Sequence, residues 1–122
     1  MLAWYCPGLD LVPQQIATSA TYDILIGING AGLINALFRH ACSVAVQLVP
    51  YRAPLNFREF GLLLRTRGPY LEWHNRHEEH SVRPPGLRQP DSNQGTYVMP
   101  SELLAVVHEA VDVVRACAVT AE

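Results

Sequence analysis

The sequence predicts an α/β domain: a Rossmann-like parallel sheet with flanking helices. Three observations carry that expectation. Short apolar runs rich in β-branched residues alternate with segments of helical periodicity. The first two runs, YDILIGI at Tyr22–Ile28 and SVAVQLV at Ser43–Val49, are apolar on both faces, as buried parallel strands are and alternating surface strands are not. A turn signal closes each run, Asn29-Gly30 after the first and Pro50 after the second.

The elements follow in order. Residues 12–20, VPQQIATSA, suit a short helix, because Pro13 fits a first helical turn and Ile16 and Ala20 share a face. The first strand ends in a Gly30–Gly32 turn. Leu33–Arg39 then has helical spacing, with Leu33, Ala36 and Leu37 on one side. After the second strand, Leu55–Thr66 reads as a helix with Phe57, Phe60, Leu63 and Leu64 apolar, stopped by Gly68-Pro69. Pro69–Trp73, PYLEW, is expected as a third short strand. Residues 74–95 are rich in His, Glu, Arg, Pro, Asn and Gly and read as a long irregular loop. Thr96–Met99 is expected as a brief fourth strand. Ser101–Val114 is the clearest helix, its stripe made by Leu103, Val106 or Val107, Ala110, Val111 and Val114. No repeat or linker divides the chain, so residues 1–122 read as a single domain.

Composition narrows the function classes. Of 122 residues, 49% are hydrophobic and 16% charged, the balance of an ordinary globular chain. A net charge of −2 with no basic face predicts no nucleic-acid partner. Lysine is absent, so all nine basic residues are arginine, and phosphate contacts must come from Arg, His or backbone amides. No apolar stretch approaches the roughly 20 residues of a membrane span. The opening MLAWYCPGLD lacks the basic start and long apolar run of a signal peptide. Cys6, Cys42 and Cys117 lack CxxC spacing and an even count, which predicts no disulfide framework. Cys42 reads as a small buried hydrophobe, and Cys6 and Cys117 as residues able to pair with other segments if the parent is secreted.

A phosphate commonly lies where a parallel strand turns into a helix, since free amides and the helix dipole offer partial positive charge there. Here that turn is Ile28-Asn29-Gly30-Ala31-Gly32, which has neither the dinucleotide nor the P-loop spacing. The same glycines suit a tight turn with close helix packing, so by itself the turn leaves both readings open.

The longer run adds to this. DILIGINGAGLINALF followed by SVAVQLVPY resembles the DxLxGxHGAGLTNxLF…VVELxP signature of family-61 glycosyltransferases. That family includes animal enzymes adding N-acetylglucosamine to EGF-like domains or O-mannose, and plant arabinoxylan-decorating transferases. PYLEWHN and SNQGTYVMPSELLAVVHEAVDVV are similar to its later segments, so the resemblance covers about residues 10–115. It implies most of the C-terminal lobe of a GT-B-type enzyme that performs inverting transfer from a nucleotide-sugar, UDP-GlcNAc or a UDP-pentose, to a protein or glycan hydroxyl. It further implies no metal or other cofactor, an ER or Golgi location, a membrane link only through an N-terminal anchor absent from this chain, and an N-terminal lobe supplying the acceptor-side base. No catalytic residue is thereby assigned to this chain. The implied donor-site residues are Asn29, Gly30, Ala31 and Gly32 at the diphosphate and Gln47 near the ribose. Two positions depart from the pattern: Asn29 replaces the usual His, and Gln47 a frequent Glu. Both keep hydrogen-bonding capacity and lose charge. A catalytically inactive binding or scaffold member is therefore the alternative, and an unrelated small nucleotide-binding domain stands third.

Other residues are weighed against plainer roles. Arg52, just past a strand end, is the best placed arginine for a diphosphate, against a solvated surface role. His74, His77 and His80 with Glu78 and Glu79 lack HExxH spacing and divide between solvated loop charges, substrate or lobe contacts, and a metal site. Glu72 is a candidate to face the cleft. Trp73 reads as packing or as a stacking platform, Asp23 as a strand-edge residue, and His108 as surface.

Overall fold

The computed structural model describes residues 12–28, 33–82 and 95–120. Three parallel strands form the sheet: β1 (Ile24–Ile28), β2 (Val44–Val49) and β3 (Tyr70–His74), in the order β1-β2-β3. Register pairs Ile24 with Val44, and Val46 with Leu71, so the carboxyl ends at Ile28, Leu48 and Trp73 lie side by side. Every residue of β2 is buried, which explains why the run carries no solvent-facing alternation.

The helices divide between the two faces. On one face, Ile24, Val44 and Val46 pack with Ala110 of α3 (Pro100–Thr120), with Val106, Val111, Val113 and Val114 closing round them. On the other, Ala45 packs with Leu33, Ala36 and Leu64, flanked by Leu37, Phe60 and Tyr70. This second face holds a 3-10 helix (Leu33–Phe38) and α2 (Leu55–Arg65), the two crossovers of the sheet. α1 (Val12–Ser19) lies against the 3-10 helix, where Asn35 Nδ2 donates to Gln15 Oε1 at 3.3 Å. Among the described strands the order never reverses, so the crevice where a doubly wound sheet usually binds is not formed by these three.

Four expectations change. The segment after the first turn is a 3-10 helix, not an α-helix. Six residues make a short element, and the Arg39 amide closes it with an i−3 bond to Ala36 O. The expected fourth strand shrinks to β5 (Gly95–Thr96), which pairs antiparallel with β4 (Ser81–Val82) and stays outside the main sheet. The last helix runs to Thr120, because the helix-favouring Arg115 and Ala116 and then Ala118 carry it past Val114. Finally, Cys42 is bonded to Cys117, with Cα atoms 5.4 Å apart and a sequence separation of 75. The reading of Cys42 as a plain buried hydrophobe is corrected by this bond, which ties α3 to the turn before β2. Cys6 lies outside the described residues.

Candidate functional site

The donor-site turn Asn29, Gly30, Ala31 and Gly32 continues from Ile28 and lies outside the described residues. What the structure does describe is the rest of the carboxyl edge, where β2 and β3 end beside the start of α2. A cleft of about 570 Å3 opens there, lined among others by Arg52, Arg58, Arg65, Glu72, His74 and Asn75. Arg52 is thus brought to the edge where it was expected. It sits in the turn after β2 with φ 50°, left-handed backbone that non-glycine residues rarely adopt, and its guanidinium lies 5.3 Å from the centre of the Tyr51 ring.

Gln47 is fully buried, its side chain on the α2 face of β2. Its Nε2 donates to Phe57 O at 3.0 Å and to Tyr70 Oη at 2.8 Å. The Phe57 carbonyl can only accept, so it fixes which amide atom faces it. Gln47 therefore pins the first turn of α2 to the sheet. A glutamate there would turn an acceptor toward an acceptor, which gives a structural reason for the amide at this position.

A polar chain runs from Gln47 to the cleft. The Tyr70 hydroxyl donates to Glu72 Oε1 at 2.6 Å, and Glu72 Oε2 meets His74 Nε2 at 2.7 Å. Tyr70, Glu72 and His74 alternate along β3, so they share one face, as β pleating requires. Gly61 makes room for them: a Cβ there would come within 2.5 Å of Tyr70 Oη and 2.9 Å of Glu72 Oε1. Burial, then the hydrogen bond to the Glu72 carboxylate, pushes the Tyr70 phenol well above its ordinary range. Burial alone would raise Glu72. The bonds from Tyr70 and His74, with the positive charge of His74 and Arg65, outweigh it and hold the carboxyl below its ordinary value. Glu72 is thereby a firmly anchored carboxylate facing the cleft, as its place in the strand suggested.

Asn75 also lines the cleft. Its amide nitrogen donates to Val49 O at 2.8 Å and its Oδ1 accepts from the His77 amide at 2.8 Å. The residue is 5% exposed, and its Nδ2 has no partner among the described residues. Sequence reading passed over Asn75, and its signal was weak: an Asx turn motif directly after a strand. Gln47's bond to α2 was equally hidden, because it depends on a helix ten residues away in sequence.

The remaining candidates fall outside the cleft or support it from behind. Trp73 is a packing residue whose Nε1 donates to Glu102 Oε2 at 2.9 Å, joining β3 to the start of α3. Asp23, at the amino end of β1, meets His40 Nε2 at 3.2 Å. His77 stands 3.6 Å from Glu79, its ring 5.2 Å from that of His80. Among the described residues no three His, Cys, Asp or Glu side chains converge as metal ligands. His108 is exposed on α3. No family model matches the chain, and no curated protein matches it.

Proposed function

We propose that the chain is the nucleotide-sugar-binding lobe of an inverting glycosyltransferase of the GT-B type. The observation that carries this reading is the run Asp23–Tyr51: its two apolar strands lie parallel and adjacent, so the segment after Ile28 and the Arg52 turn after β2 leave the sheet at one edge. Parallel sheets present ligands at that edge. The donor would lie along it, its diphosphate held by the amides of Gly30, Ala31 and Gly32 beside Asn29, with Arg52 as the nearby cation. In the transfer, an acceptor hydroxyl attacks the anomeric carbon from the side opposite the diphosphate. The new C–O bond forms as the bond to the leaving UDP breaks, and the hydroxyl proton passes to a base on a second lobe. Fixed amides and guanidiniums can stabilise charge growing on the leaving diphosphate without a metal.

The Cys42–Cys117 bond supports a secretory-pathway location, since disulfides persist in oxidising compartments. Titration calorimetry of the full chain with UDP- and GDP-sugars tests the reading. Saturable heat with at least one UDP-sugar is expected; no heat with any of them overturns it.

A second reading, an inactive binding member of the same family, rests on Asn29 and Gln47, which are neutral where the resemblance has a His and an acid. Asn29→His separates the two. With the second lobe present, transfer that appears only in the variant supports the inactive member, and transfer already present in the wild type rules it out.

A further inference from the structure

We propose that the cleft at the start of α2 is an anion site of its own, built to take the phosphate group of a hydroxyl-bearing phosphate ester. It shares Arg52 with the donor position proposed above, so its donor outcome rests on that reading, whereas anion binding by the cleft is tested without it.

Four features converge on it. Arg52, Arg58 and Arg65 all line the cleft, and none of the three forms an ion pair with a described residue. Three cations against the single carboxylate of Glu72 make this wall positive in a chain whose net charge is −2. The N-terminus of α2 opens here, and its cap residue Pro54 has no side-chain hydrogen bond to offer the first-turn amides. Those amides and the helix dipole add further positive potential. The third feature is Asn75. Its oxygen is committed to the His77 amide, and its buried Nδ2 has no partner among the described residues, in a side chain that lines the cleft. A buried donor left unpaired is costly, and a phosphate oxygen drawn in by the arginines would complete it.

The fourth feature sets the ligand's other half. Glu72 and His74 form a hydrogen-bonded pair on the same wall, anchored from behind by Tyr70 and Gln47. A carboxylate with spare lone pairs beside an imidazole suits sugar hydroxyls, which need acceptors as well as donors. A phosphate among the arginines with hydroxyls at the Glu72–His74 pair describes a sugar phosphate or a nucleotide. Its source is either the diphosphate of a nucleotide donor or a phosphate carried by the acceptor.

Calorimetry on the full chain with inorganic pyrophosphate, UDP and uridine decides this, alongside the Arg58→Gln/Arg65→Gln double variant, whose two positions are exposed on α2. Pyrophosphate is expected to bind the wild type, more weakly as salt rises, and at least tenfold more weakly in the double variant. Uridine is expected to give no heat. Pyrophosphate displaced by UDP assigns the phosphate to the donor; pyrophosphate still bound at saturating UDP assigns it to the acceptor. No pyrophosphate binding, or equal binding by wild type and folded variant, overturns the proposal. If the variant loses its native circular dichroism, nuclear magnetic resonance of the wild type replaces it. The Asn75 side-chain amide and His74 ring signals must shift with pyrophosphate, and unshifted signals overturn the proposal. Pyrophosphate binding without any UDP-sugar binding would leave this site standing and remove the glycosyltransferase reading.

Discussion

Gln47 fastens the first turn of α2 to the sheet through one buried side-chain amide. Its amide supplies two bonds, to Phe57 O and Tyr70 Oη, that a carboxylate cannot supply. Gln47→Glu is expected to destabilise the fold by about 1–3 kcal/mol, since it buries a charge against a carbonyl. Urea unfolding should show a lowered midpoint; an unchanged midpoint would mean that Gln47 does not hold α2. Tyr70, its neighbour, gives a pH signature. Its phenol is raised in the folded chain, while in the unfolded chain it ionises at about pH 10. The stability this represents is fully present below that pH and is lost as pH rises toward the folded value. Phenolate absorbance should therefore leave at least one of the five tyrosines un-ionised until the chain unfolds in alkali. Complete titration of all five in the folded state would contradict the buried contact. Glu72 has the opposite sign: its contribution is present above the ordinary carboxylate range and is lost as pH falls through its depressed folded value. Sequence reading placed Arg52 just past a strand end and Glu72 within the third strand, and both line the cleft. Strand periodicity is enough to fix positions of that kind. It could not find the bond between Gln47 and Phe57, because the ten-residue reach depends on how α2 lies on the sheet.

Strands and long helices were legible because their apolar pattern is set by burial on each face. β1, β2 and α2 lie within a residue or two of the expected ranges. The 3-10 helix was misread because six residues give too few repeats to separate two helical periods. What secures that segment is Arg39, which sequence reading treated only as an element boundary. It is 7% exposed and donates to Ala36 O at 2.7 Å, Leu64 O at 3.0 Å and Pro69 O at 3.1 Å. One guanidinium thus joins the ends of both crossover helices to the entry of β3, adding a second donor to carbonyls that each accept one backbone amide. Burial lowers its pKa, though an arginine remains charged. Arg39→Met keeps most of the apolar stem and removes three charge-assisted bonds, while each carbonyl keeps a backbone donor. A loss of about 1–3 kcal/mol is expected in chemical denaturation, from the lost bonds to a charged donor. A loss below about 0.5 kcal/mol, the range of ordinary surface changes, would show that water replaces the guanidinium.

At the scale of the molecule, the sheet is held between α3 on one face and the crossovers on the other. The Cys42–Cys117 bond locks α3 to that arrangement. Cysteine count and spacing could not reveal it, because pairing across 75 residues is a property of the fold. Closing a loop of that length restricts the unfolded chain by about 4 kcal/mol. Reduction, or a Cys42→Ser/Cys117→Ser double variant, should lower the melting temperature clearly under conditions where the oxidised chain stays folded. Equal melting of the oxidised and reduced chains would contradict a native bond. The central claim is that the carboxyl edge of this sheet binds a sugar nucleotide. Nuclear magnetic resonance of the isotope-labelled full chain, titrated with UDP-GlcNAc, tests it most directly. The account predicts saturable shifts in the amides of Gly30, Ala31 and Gly32 and at Arg52, with the α3 amides from Ala110 onward unmoved. Shifts confined to α3, or none at all at saturating nucleotide, would contradict it.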